Sequence, residues 1–155
     1  MSYRITGLSP QPFQDLFGLD GEALRERGAI RYVADREAQF PDRIELRDAE
    51  IGESVLLVNY THQPAATPYR ASHAIYVLEG AQRAYDRRDK VPGVLRRRVL
   101  SLRAFDTGHM MVDGDVVEGA ALEAAVERMF ENADVAYLQA HYAKRGCYAA
   151  RIDRA

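Results

Sequence analysis

The sequence predicts an α+β fold: a mostly antiparallel sheet of hairpins, one main amphipathic helix over about residues 119–131, and short N-terminal helices packed on one face. Three observations point there. Apolar runs of strand length come in pairs around polar loops at 56–77, 99–112 and 135–153. Leu122, Val126, Met129 and Phe130 recur at helical spacing, while Glu123, Glu127 and Glu131 fall on the opposite side. Near the N-terminus, Ser9-Pro10 with Gly18, and Asp20 with Gly28, read as start and stop signals of two short helices.

Taken in order, Tyr3 to Leu8 reads as a short strand, followed by helices from Pro10 to Phe17 and from Asp20 to Gly28. Ala29 to Ala34 and the alternating Arg43-Ile44-Glu45-Leu46 read as strands. In the central hairpin, matching apolar positions pairs His62 with His73, Tyr60 with Ile75 and Val58 with Val77. Glu79 to Asp89 is expected to be an irregular helix. Val99–Phe105 and His109–Val112 form a second hairpin around the three-residue loop Asp106-Thr107-Gly108, with Gly108 left-handed and Leu102 opposite Val112, and Asp113-Gly114-Asp115 is a further turn. In the last hairpin, a three-residue loop Lys144-Arg145-Gly146 pairs Tyr142 with Tyr148, Ala140 with Ala150 and Leu138 with Ile152 on a core face. Tyr137, Gln139, His141, Cys147 and Arg151 then share the other face, with His141 diagonal to Cys147. No linker or repeat divides the chain, so residues 1–155 are expected to form a single globular domain.

Composition removes several classes of function. The chain is 47% hydrophobic and 28% charged, with a formal net charge of −2, which leaves no basic footprint for nucleic acid. Arg96-Arg97-Arg98 lacks interleaved aromatics and reads as a solvated edge. The longest apolar run is about five residues, too short to span a bilayer, and no signal-peptide core follows Met1. A cytoplasmic location is expected. Cys147 is the only cysteine, which excludes an internal disulfide and a thiolate zinc cluster. There is no phosphate-cradling glycine loop, Gly-x-Ser-x-Gly elbow or His-Glu-x-x-His, so no cofactor is expected.

Three chemistries stay open around the loop ends. Tyr69, Arg70, Ser72, His73, His141 and Arg145 are donors or switchable groups suited to a small carboxylate or phosphate, and this anion-binding reading leads. Cys147, His141 and His73 are the candidate catalytic residues of a thiol-dependent hydrolase. His62, His73 and His141 would serve a metal-dependent one, although no His spacing fixes two ligands on one element. A different class is a structural protein, a homodimer in which a second copy covers an exposed sheet edge.

From about Arg43 onward the chain resembles a bacterial family catalogued as a domain of unknown function, DUF1203. The resemblance lies in Gly52-Glu53, Tyr60, Pro68-Tyr69, Ser72 and Ile75-Tyr76-Val77. It continues through Leu102-Arg103-Ala104-Phe105-Asp106, Gly108, Val135-Ala136, His141 and Gly146-Cys147-Tyr148. The sequence differs from relatives that carry cysteine where Asp42 stands and glycine where His73 stands. The resemblance implies a compact mixed α/β domain and assigns no activity.

Overall fold

The computed structural model describes residues 1–155. Its architecture is α+β and dominated by two antiparallel sheets. The chain runs β1 (Tyr3–Thr6), a 3-10 helix (Gln11–Leu16), α1 (Gly21–Glu26), β2 (Ile30–Val33), β3 (Ser54–Gln63), β4 (Ala71–Leu78) and β5 (Asp86–Arg88). It continues with α2 (Gly93–Arg96), β6 (Val99–Phe105), β7 (Met111–Glu118), α3 (Leu122–Phe130), β8 (Tyr137–Tyr142) and β9 (Tyr148–Arg154). The large sheet has the order β5-β1-β9-β8-β6-β7, and the small one β2-β3-β4.

Each sheet anchors its own core. Leu100, Leu102, Leu138, Ala140, Ala150 and Ile152 alternate onto one face of the large sheet and meet Leu122, Val126, Met129 and Phe130 of α3. Each such side chain contributes about 1.5–3 kcal/mol by leaving water. The second core gathers Leu56, Val58, Ile75 and Val77 of the small sheet with Phe13, Leu16 and Leu24 of the N-terminal helices. Tyr148 of the large sheet belongs to this second core, and so joins the two layers. The expected caps are present in part: the Asp20 carboxylate accepts from the Ala23 N–H at 2.8 Å, whereas Pro10 precedes the 3-10 helix with no side-chain cap.

Four expectations need correction. The central hairpin pairs Tyr60 with His73, Val58 with Ile75 and Leu56 with Val77, two residues from the register that matched apolar positions. A slip of two keeps every side chain on its face, and a bulge between Thr61 and Gln63 leaves His62 as the extra residue. Residues 79–89 are not helical. Tyr85 instead bonds the backbone of Gly7 and Ile44, and Asp86–Arg88 extends the large sheet beside β1, so tertiary pairing overrides local helix preference.

In the second hairpin, His109 rather than Gly108 takes the left-handed conformation, at φ 62°. Strand β7 then runs through Asp113-Gly114-Asp115, with Leu102 opposite Asp115. Those carboxylates sit exposed on an edge strand, where charge is tolerated. Finally, Arg43–Leu46 forms no strand. The buried Asp42 carboxylate takes the N–H groups of Ile44 (3.0 Å), Glu45 (2.6 Å) and Leu78 (2.7 Å), which a ladder would otherwise have used.

Asp42→Ala would strand three buried N–H groups and is expected to lower stability by about 3–5 kcal/mol. Asp42→Asn keeps an oxygen for Ile44 and Leu78, so urea unfolding should place it between the wild type and Asp42→Ala.

Candidate functional site

Polar side chains accumulate where the two sheets meet. Because Leu138, Ala140 and Tyr142 of β8 turn toward α3, Tyr137, Gln139 and His141 must point the other way, toward the small sheet. The end of β3 runs over them. Tyr60 lies 5.7 Å from the Tyr148 ring, His62 lies 4.7 Å from His141, and Gln63 Nε2 donates to the Tyr137 hydroxyl at 2.8 Å. Beyond them Tyr69 meets Phe105 edge-on at 6.4 Å.

Two bulges create this meeting. His62 is the extra residue of β3, and in β9 the register shifts so that Tyr148 lies opposite His141 and faces the small sheet, not opposite Tyr142 on the core face as expected, while Ala140 faces Ala150 as expected. A bulge re-aims the side chains around it. A cleft of about 280 Å³ remains beside the seam, lined chiefly by His62, Gln63, His109, Tyr137, Gln139 and Arg151. None of its lining residues is acidic.

The hydrogen bonds at its base do not balance. His141 Nδ1 lies 3.1 Å from the Gly146 carbonyl, and its Nε2 lies 3.0 Å from Gln139 Oε1. His62 Nδ1 is 3.0 Å from the same oxygen. Gln139 Nε2 donates to the His62 carbonyl at 2.8 Å, and because a carbonyl only accepts, that bond fixes how the amide is turned. Three ring nitrogens therefore face two oxygens. Two neutral imidazoles have only two N–H groups, so one nitrogen lone pair of His141 is set against an oxygen. Turning the amide over moves the mismatch to the His62 carbonyl without removing it. The unmet contact costs about 1–3 kcal/mol.

Burial keeps the ring neutral all the same. Burial pushes the His141 pKa down to about 3, and the nearby Arg103 charge adds to this against the Gly146 bond. His62 is also lowered, first by burial. Arg103 stands opposite Gln139 on β6 and is half-buried. Its one hydrogen bond runs from Nε to Ser101 Oγ at 3.5 Å, and it reaches no carboxylate. Burial lowers its pKa too. Arg151, in contrast, pairs with Asp153 and lies over the Tyr137 ring at 3.9 Å.

The family model described as Protein of unknown function (DUF1203) matches residues 39–154 of this chain. The chain belongs to this family. Every strand of the seam lies inside the match, and β1, β2 and the N-terminal helices lie outside it. No curated protein and no solved structure matches the chain.

In this DUF1203 protein the residues expected to share a site are spread along β8. Tyr69 and Arg70 sit at the Phe105 end, where Arg70 donates to the Pro64 carbonyl at 2.7 Å and closes its own loop. Arg145 is exposed beyond Tyr142 at the other end, roughly 20 Å away by strand rise. Ser72 is exposed opposite Thr61 on β4. His73 is half-buried, with Nδ1 3.0 Å from the Ala74 carbonyl, and its charge still reaches His141 and His62.

Cys147 is not beside His141. The β9 bulge turns Cys147 into the core under α3, where its Sγ lies 3.0 Å from Arg43 Nη2. No group of three or more His, Cys, Asp or Glu side chains is arranged to hold a metal ion, so His62, His73 and His141 do not converge as ligands. No helix is long and apolar enough to cross a membrane.

Gln63, Gln139, Arg103, His109 and Arg151 were not among the expected site residues. A signal existed for two of them: Gln139 and Arg151 are the polar positions of the last hairpin, on the face with Tyr137 and His141. His109 carried none, because only its left-handed backbone brings Nδ1 to 2.8 Å from the Tyr137 hydroxyl.

Tyr137→Phe removes the partner of both His109 and the buried Gln63 amide. It should cost about 1–3 kcal/mol in urea unfolding and broaden the His109 ring signals in NMR spectra, while Tyr69→Phe should do neither.

Proposed function

We propose that this DUF1203 protein binds a small anion, a carboxylate or phosphate, in the cleft between its two sheets. The observation that carries the reading is Arg103, a half-buried guanidinium with no carboxylate within ion-pair distance, paired across the sheet with Gln139, which lines a cleft whose own wall has no acidic residue. Desolvating a cation costs free energy that a bound anion returns, and a guanidinium fork meets a carboxylate or phosphate through two N–H groups. His62 and His109 line the cleft wall, and Tyr69 and Arg70 stand on the loop at its outer end. The cleft is small for a ligand site, which favours an anion of few atoms. Arg145 lies too far along β8 to share it.

Stabilisation by acetate, citrate, phosphate or sulfate should appear in thermal melts as a rise of roughly 5–10 °C at about a hundred times Kd. Arg103→Gln is expected to abolish that rise without lowering the melting temperature of the free protein. If none of the four anions raises it, the reading fails.

A second reading concerns assembly. Val112 (43% exposed) and Val116 (65% exposed) stand with Met110 along the open edge formed by β7, an eight-residue strand whose outer backbone groups a second copy can pair. Sedimentation should then show a dimer that Val116→Lys dissociates, and a monomer at high concentration removes this reading.

A further inference from the structure

We propose that the anion is taken up together with one proton, which comes to rest on His141, so that the cleft binds the pair and not the anion alone. The inference rests on the anion reading above and names how that site is regulated. Its ground is the geometry of His141, whose two ring nitrogens lie 3.1 Å from the Gly146 carbonyl and 3.0 Å from Gln139 Oε1. Two acceptors on one imidazole are the surroundings of an imidazolium, which has two N–H groups, and a neutral ring leaves one of them unmet.

What the imidazolium lacks in the free protein is a counter-charge. The groups that face His141 are His62 from β3, His73 from β4, Arg103 from β6 and Tyr148 from β9. None is a carboxylate, and His141 is fully buried. In the free protein, burial first and the positive charge of Arg103 second keep the proton off. An anion bound in the cleft beside His62 offsets the Arg103 charge that acts on His141. The ring then gains a proton from solvent, donates to both oxygens, and completes the network that His62 and Gln139 already share. No covalent bond changes: one anion and one H⁺ enter, and both leave together.

The sign of the pH effect follows. Protonation and anion binding favour each other, so anion affinity rises as pH falls, toward tenfold per unit where one proton is taken up. Sulfate is the probe, because its own charge does not change between about pH 5 and pH 7.5, across the range in which histidine titrates. Calorimetric titration with sulfate, in two buffers of different ionisation enthalpy, should show proton uptake approaching one per sulfate at the acid end. His141→Gln should bind sulfate with an affinity nearly flat in pH.

Should that variant fail to fold, ring-nitrogen NMR of the unaltered protein decides the matter. On saturation with sulfate at about pH 5.5, both His141 nitrogens should move to imidazolium values. Sulfate binding with no pH dependence, or a His141 ring that stays neutral in the saturated complex, overturns the proton coupling and leaves the anion reading standing. A pH slope that persists in His141→Gln assigns the proton elsewhere and overturns it as well. Sulfate that binds at no pH in this range overturns both.

Discussion

The side-chain amide of Gln139 is the contact on which the seam between the two sheets depends. It donates to the His62 backbone at 2.8 Å, and its oxygen receives the imidazoles of His62 and His141 at 3.0 Å each. The two contacts with His62 tie β3 of the small sheet to β8 of the large one, and the third holds His141 in place within β8. Apolar contact alone would not fix that approach, since aromatic pairs tolerate a range of offsets and tilts. Directional hydrogen bonds in a dry interface do, and for the same reason a missing proton there is costly.

The seam is polar because the opposite face of the large sheet is not. Strand β8 gives Leu138, Ala140 and Tyr142 to the core under α3, and alternation leaves Tyr137, Gln139 and His141 for the other side. Bulges in β3 and β9 then break strict alternation at the seam, apart from a third in the β6–β7 hairpin. One brings His62 over His141. The other turns Tyr148 toward the small sheet and Cys147 away from it. The same irregularity that assembles the histidine pair thus removes the thiol from its reach.

Electrostatically the seam is rich in cations, with Asp153 on Arg151 as a carboxylate beside them. Carboxylates elsewhere are matched closely with arginine, as in the Arg47 fork on Glu53 or the hold of Arg97 and Arg98 on Asp48. The Glu53 pKa falls to about 2, chiefly through those Arg47 bonds. Arg103 and the three histidines near it have no such partner. In a chain of nearly balanced charge, that local imbalance separates the seam from the ordinary surface.

Alternation and stop signals are properties of neighbouring residues, so the sequence by itself determined the hairpins, the α3 stripe and the core faces of β6, β8 and β9. It also marked Tyr137, Gln139, His141 and Arg151 as one polar face, and the order of motifs after Arg43 pointed to the family. Tertiary structure alone decided the bulges, because one extra residue in a strand is chosen by what packs against both sheets and leaves no local trace. It decided as well that Arg43–Leu46 follows the Asp42 carboxylate instead of a strand partner, and that residues 79–89 join β1. The pairing of His62 with His141, and the solitude of Arg103, come from residues tens of positions apart meeting across the seam, and no spacing along the chain encodes that distance.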